Sequence, residues 1–227
     1  MIGIIGAMEI EVEGLKKALD GVREESAFGY TFYSGKIRDA EVVVTQSGIG
    51  KVNSAIAVSI MKMKYNCDFI INTGIAGGTA LVKSEDVVIG TKCLYHDFDA
   101  TVFGYALGQV PGGPEYYSAD KSLVKKSEAA CRDLGITHHL GTILSGDCFV
   151  TQKETYEKMN QPEAMACEME GCSIAQASAR MGVPFVIIRY ISDIIGGENQ
   201  IEDYKQYEKR MAERSSAICL KIIEYLS

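Results

Sequence analysis

Short apolar runs, each closing in a glycine-bearing turn and each followed by a helical pattern, recur along this chain. That alternation restricts the fold more than any other feature. Residues 2–5 run into Gly6-Ala7-Met8, residues 68–72 into Thr73-Gly74-Ile75-Ala76-Gly77-Gly78, and residues 138–145 into Gly146-Asp147-Cys148-Phe149-Val150. A run that is apolar at successive positions leaves no face for water, so it belongs in a sheet covered on both sides. Helices between such strands supply the cover, which predicts one α/β domain over residues 1–227 with a mixed, mostly parallel sheet. A hydrophobic content of 47% in 227 residues suffices for one large core.

The first helical pattern, residues 9–20, carries an anomaly. At 100° per residue, Val12, Leu15, Ala18 and Leu19 gather on one side, and Glu11 falls among them while Ile10 does not. An acid on a buried face is costly unless it is paired or used. Glu11 also follows the carboxyl end of a strand, where open α/β sheets bind ligands. A period-two strand is predicted over 28–37, a turn at Asp39-Ala40, and a strand over 41–45. Gly48-Ile49-Gly50-Lys51 then opens a helix to about residue 64. It lacks the third glycine of a dinucleotide fingerprint (Asn53) and the first of a P-loop (Thr45), yet its amides could hold an oxygen-rich ligand.

Further on, the glycines of 73–78 read as a tight turn or a close backbone approach. Strands are expected over 87–89 and 94–100, and then a long aromatic loop over 103–114, a length that usually serves function. A helix over 118–134, capped near Ser118 or Asp120, leads to the strand 138–145 and a helix around 152–160. His138 and His139 have no partner at a telling spacing. The strand 185–193 is apolar except for Arg189 inside it and Asp193 at its end. These two share a face about 13 Å apart at about 3.3 Å per residue, too far to pair but able to mark two ends of one ligand. A last helix, to about 226, buries Met211, Ser215, Ile218, Ile222 and Leu226 at helical spacing.

Glu168-Met169-Glu170 lies before a helix of small residues, 172–179. Residues two apart share a face only in extended chain, so two acids serving one site require this piece to be extended until the helix begins. The alternative is a pair of helix N-terminal acids favoured by the macrodipole.

Several function classes are excluded. Net charge is −7 and no basic run exists, which argues against a nucleic-acid partner. No apolar run approaches the roughly 20 residues of a membrane helix, and the N-terminus lacks a signal-peptide pattern. Seven cysteines without C-x-x-C spacing read as free thiols of a cytoplasmic protein, and no metal-binding set appears.

The segments Gly6-Ala7-Met8-Glu9-Ile10-Glu11, Ser47-Gly48-Ile49-Gly50, Asn72-Thr73-Gly74-Ile75-Ala76-Gly77-Gly78, Ser145-Gly146-Asp147, Glu168-Met169-Glu170 and Ile191-Ser192-Asp193 together resemble bacterial 5′-methylthioadenosine/S-adenosylhomocysteine nucleosidases of the nucleoside phosphorylase superfamily. The resemblance spans almost the whole chain. It implies a three-layer sandwich with helices flanking a mixed sheet, a homodimer, a small-molecule nucleoside substrate, and no cofactor or metal. It also implies roles: Asp193 as general acid at adenine N7, oriented by Ser192, and Glu11 as the acid handling the water. Glu170 would grip the ribose hydroxyls, with Met169 beneath the sugar and Arg189 supporting that end. Phe149 would stack on adenine and the Val150 backbone read its edge. Met8, Ile49, Phe103, Tyr105, Pro111 and Tyr204 would line the 5′-substituent pocket, partly across the dimer interface. Ile75 departs from the serine usual in that motif, beside the water site. Ile10 departs too, off the buried face. A futalosine-type hydrolase, a phosphorylase and a nucleoside-binding paralogue remain alternatives.

Overall fold

The computed structural model describes residues 1–226, without the side chains of residues 208, 209 and 211–213. Along the chain run β1 (Ile2–Gly6), α1 (Glu9–Lys17), β2 (Asp20–Ala27), β3 (Tyr30–Ile37), β4 (Ala40–Gln46), α2 (Lys51–Tyr65), β5 (Phe69–Gly78) and β6 (Val87–Tyr95). After a 3₁₀ turn at Thr101–Phe103 come β7 (Tyr117–Ser118), α3 (Lys121–Asp133), β8 (His138–Ser145), α4 (Glu154–Glu157), β9 (Ala164–Glu168), α5 (Gly171–Met181), β10 (Phe185–Ile194) and α6 (Gln200–Glu224).

The strands form one mixed sheet in the order β10-β6-β8-β9-β5-β1-β4-β3-β2, and β10 also pairs with β5. The ring β5-β10-β6-β8-β9 therefore closes on itself, while β1, β4, β3 and β2 extend from β5 as an open wing. Parallel ladders join β4 to β1, β1 to β5, β5 to β10, β6 to β8 and β8 to β9, and they carry most of the paired residues. Helices α1, α3 and α6 pack together on one face, and α2 with α5 on the other. This double cover explains why β1 and β10 are buried almost without a break. Among the described residues no helix is long and apolar enough to cross a membrane.

The differences from expectation have identifiable causes. Helix α1 ends at Lys17, and residues 20–27 form β2, a strand with no predicted counterpart. Half of its residues are charged and nearly all are exposed because it is the outer edge of the wing, where charge discourages edge-to-edge association. Residues 73–78 are not a turn; they complete β5. Their glycines serve close approach instead: a Cβ on Gly78 would lie 2.7 Å from the Ile191 side chain. Residues 87–95 make one strand, with a register shift between Gly90 and Lys92, and 96–100 lie outside it. Helix α3 starts at Lys121 because the Asp120 carboxylate accepts from the amides of Ser122 and Leu123, both at 2.9 Å. The helix expected around 152–160 shortens to α4. On α6, Ser215, Ile218 and Ile222 are buried, whereas Leu226 is half-buried beyond the helix end and the side chain of Met211 lies outside the described residues.

Candidate active site

The carboxyl ends of β1, β5 and β10 meet the end of β9 and the start of α5 around a cleft. Glu11, Met169, Glu170, Phe149, Val150, Ser192, Asp193, Met8, Ile49, Ile75 and Tyr204 all line it. Four buried carboxylates line this one cleft: Glu11 from α1, Glu168 at the end of β9, Glu170 at the start of α5 and Asp193 from β10.

Glu11 enters from the first turn of α1. Its Oε2 accepts from the amides of Ala7 at 2.7 Å and Met8 at 2.9 Å, and its Oε1 from the amide of Ile75 at 3.1 Å. Burial raises its pKa, opposed by the positive charge of Arg189 and by those backbone donors. Room for the carboxylate is made by Gly74, where a Cβ would stand 2.6 Å from Oε1.

Glu168 and Glu170 divide the two readings of their stretch between them. The chain is extended through Glu168, the last residue of β9. The Glu168 carboxylate then accepts from the amides of Glu170 at 3.0 Å and Gly171 at 2.7 Å, and from the Ser145 hydroxyl. It is the acid at the mouth of α5. Glu170, the N-cap residue, turns into the cleft, where its Oε1 accepts from the amide of Gly50 at 2.9 Å. Burial, and then repulsion from Glu168, push the Glu170 carboxyl up to about 7 against the attraction of Arg189.

Arg189 does not line the cleft. It is buried behind it, donating to Glu168, to Asn72 Oδ1 at 2.6 Å and to the Ile188 carbonyl at 3.1 Å, with Glu170 at 3.8 Å. Its expected place at one end of a ligand is thus replaced by a place beneath the acids, because two carboxylates this deep require a counter-charge. A bulge between Ile191 and Asp193 brings both Ser192 and Asp193 to the cleft. The Asp193 Oδ1 accepts from the Ser192 hydroxyl at 2.6 Å, and Oδ2 from the Gln200 amide at 2.8 Å. Burial raises the Asp193 pKa and these two donors oppose it. Phe149 and Tyr204 cross edge to face, ring centres 5.3 Å apart, and Tyr204 reaches Met8 Sδ at 3.9 Å.

Phe103, Tyr105 and Pro111 are not brought to this chain's cleft; Phe103 is 78% exposed. Two amides at the opening of α2 are taken by the protein's own acids, that of Gly50 by Glu170 and that of Lys51 by Asp147 at 2.8 Å. His139 has a partner, Asp86, at 3.0 Å, away from the cleft. Glu168 and Gln200 are the structural residues of the site to which sequence reading gave no role. Glu168 was visible only as one of a pair, and Gln200 carried no signal.

A family model for the phosphorylase superfamily matches residues 1–224. A 5′-methylthioadenosine/S-adenosylhomocysteine nucleosidase of Staphylococcus epidermidis is 41% identical over 229 residues, covering 100% of both chains. The chain belongs to this nucleosidase family. The nucleosidase of the same name from Staphylococcus aureus strain RF122 is 44% identical over 96% of this chain and 97% of its own. Among solved structures, the Neisseria meningitidis nucleosidase in complex with methylthio-immucillin-A superposes with a TM-score of 0.94 at 37% identity, covering 99% of this chain and 98% of that one. The Streptococcus pneumoniae nucleosidase with the transition-state inhibitor MT-ImmA gives 0.93 at 38% identity, covering 100% and 99%. The superfamily fold and the nucleosidase family thus agree on the whole length of the chain.

Proposed function

We propose that this protein hydrolyses the N-glycosidic bond of 5′-methylthioadenosine and S-adenosylhomocysteine, releasing adenine and the 5-thioribose product. One observation carries the reading: three buried carboxylates, each held by different donors and each with its pKa raised by burial, face a single cleft. Breaking the bond builds positive charge on the ribose, so the purine must leave as a protonated base and a water must be deprotonated. Asp193, buried and biased toward its protonated form, gives its proton to adenine N7. Glu11 takes the proton of the attacking water; its three backbone donors fix the carboxylate while burial keeps it basic. Glu170 accepts from the ribose hydroxyls, Met169 lies beneath the sugar, Phe149 stacks on the base, and Val150 reads the base edge through its backbone.

Water is the acceptor rather than phosphate. Among the described residues no Lys, Arg or His lines the cleft, and the apolar Ile75 stands beside Glu11, so nothing there neutralises a phosphate dianion. The protein acts as a homodimer, in which Phe103, Tyr105 and Pro111 of one chain complete the 5′-substituent pocket of the other. The exposure of Phe103 and Pro111, together with that of Ile49 and Val52 at 53% and 69%, supports this. Unpaired thiols at all seven cysteines suit a reducing cytoplasm.

The test is adenine release from both nucleosides in phosphate-free buffer and with phosphate, with the sugar product identified and the oligomeric state measured by light scattering. Asp193→Asn should abolish turnover while nucleoside binding stays measurable. Release that depends on phosphate, or near-normal rates for Asp193→Asn, would overturn the reading.

A further inference from the structure

Gln200 is the first residue of α6 and is 5% exposed, yet it is polar and touches the leaving-group acid. Its amide nitrogen donates to Asp193 Oδ2 at 2.8 Å and to the Val150 carbonyl at 2.8 Å. Its amide oxygen accepts from the Gly196 amide at 3.0 Å. Both amide protons and the oxygen are therefore engaged, and one side chain ties together the end of β10, the segment carrying Phe149 and Val150, and the start of α6. Among the described residues, Asp193 is held at its other oxygen only by Ser192, its own neighbour in sequence. The long-range restraint on the acid is Gln200.

We propose that Gln200 is a positioning residue for the leaving-group acid, keeping the Asp193 carboxyl aimed into the cleft while the first turn of α6 is seated. The inference rests on the reading of Asp193 given above. Tyr204 stands one turn further along the same helix and lines the cleft, so seating that turn places the aromatic wall and the acid in one step. A carboxyl restrained at both oxygens has one orientation; freed at Oδ2, it can rotate about its Cα–Cβ and Cβ–Cγ bonds. The amide also donates to the carboxylate and so favours its ionised form. Around the acid, Asp203 of α6 disfavours ionisation, Cys167 faces it from β9, and β5 offers only Gly77, which brings no charge.

The experiment compares Gln200→Met, which keeps length but removes both amide functions, with Gln200→Glu, which keeps an oxygen for Gly196. Rates of adenine release are measured from about pH 5 to about pH 10, so that both limbs of the profile are covered. For Gln200→Met, kcat should fall about tenfold or more with KM little changed, because the acid is misaimed only in the transition state. The basic limb of kcat/KM should move up by about one pH unit, since a carboxyl without this donor holds its proton longer. Gln200→Glu should show the same upward displacement with its fold preserved, which separates the effect from misfolding. An unmoved basic limb in both variants would reduce Gln200 to packing and overturn the proposal. A lower KM at unchanged kcat would also overturn it, making the amide a competitor of the purine for Asp193 and Val150. Wild-type protein that releases no adenine would instead bring down the assignment of the site; wild-type turnover matched by both variants would sink this inference alone.

Discussion

Replacing Glu170 by glutamine should make the protein more stable while removing its activity. The Glu170 carboxyl is displaced from its ordinary 4.5 to about 7 by burial and by Glu168 beside it. Folding therefore favours the protonated form. Stability from this group is fully present below about pH 4.5 and is lost as pH rises through about 7. The displacement is about 2.5 pH units, and at 1.36 kcal/mol per unit the ionised side chain opposes folding by about 3 kcal/mol at pH 8. Glutamine removes that charge and keeps an oxygen for the Gly50 amide. The variant should thus be about 3 kcal/mol more stable at pH 8 and within about 1 kcal/mol of wild type at pH 5. In urea the pH 8 midpoint should rise by about 1 M, read by circular dichroism at equal protein concentration because assembly also moves midpoints. A variant less stable than wild type at pH 8, or a difference that ignores pH, would refute the argument. Adenine release by the same variant should fall steeply, because a neutral amide is a poorer acceptor for ribose hydroxyls that sharpen as charge develops on the sugar.

Two further outcomes follow from the geometry. Arg189→Met leaves the Glu168 carboxylate buried without its counter-charge and should destabilise the fold by about 3–5 kcal/mol, measured by urea unfolding; a loss under about 1 kcal/mol would contradict the role of Arg189 beneath the acids. Ile75→Ser should cost about 2–4 kcal/mol of stability by emptying a buried position. It should nonetheless leave phosphate-free adenine release within about threefold, because Ile75 holds Glu11 through its backbone amide; a change beyond about tenfold would mean that its side chain governs the water.

What could be read from sequence was what burial makes anomalous. Glu11 on an apolar helix face and Asp193 at the end of an apolar strand stood out because a charge there must be used or paired, and both reach the cleft. Arg189 stood out for the same reason, but periodicity gives a face and not a depth, so its place beneath the acids was invisible. The mixed sheet and its helical cover were legible from the apolar runs, whereas β2 was not. An edge strand is selected to look soluble, and its charged residues mimic a loop. The glycines of 73–78 signalled a close approach correctly, but composition could not tell a turn from a strand crowded by a neighbouring carboxylate. Gln200 escaped because a glutamine at a helix start is ordinary until its partners are known, and its partners lie far from it or across a turn. Phe103, Tyr105 and Pro111 were singled out as pocket residues, and in a single chain they stand away from the cleft.

The crowding at Gly74 ties two distant positions into one unit of inheritance. With Glu11 Oε1 2.6 Å from where a Cβ would stand, alanine at 74 would displace the carboxylate that three backbone amides hold. A lineage keeping the acid is bound to keep the glycine, and only one that has first lost the acid is free to acquire a side chain there. In a descendant sequence, the residue at 74 therefore records whether the carboxylate at 11 is still under selection, even though Gly74 itself bears no reactive group.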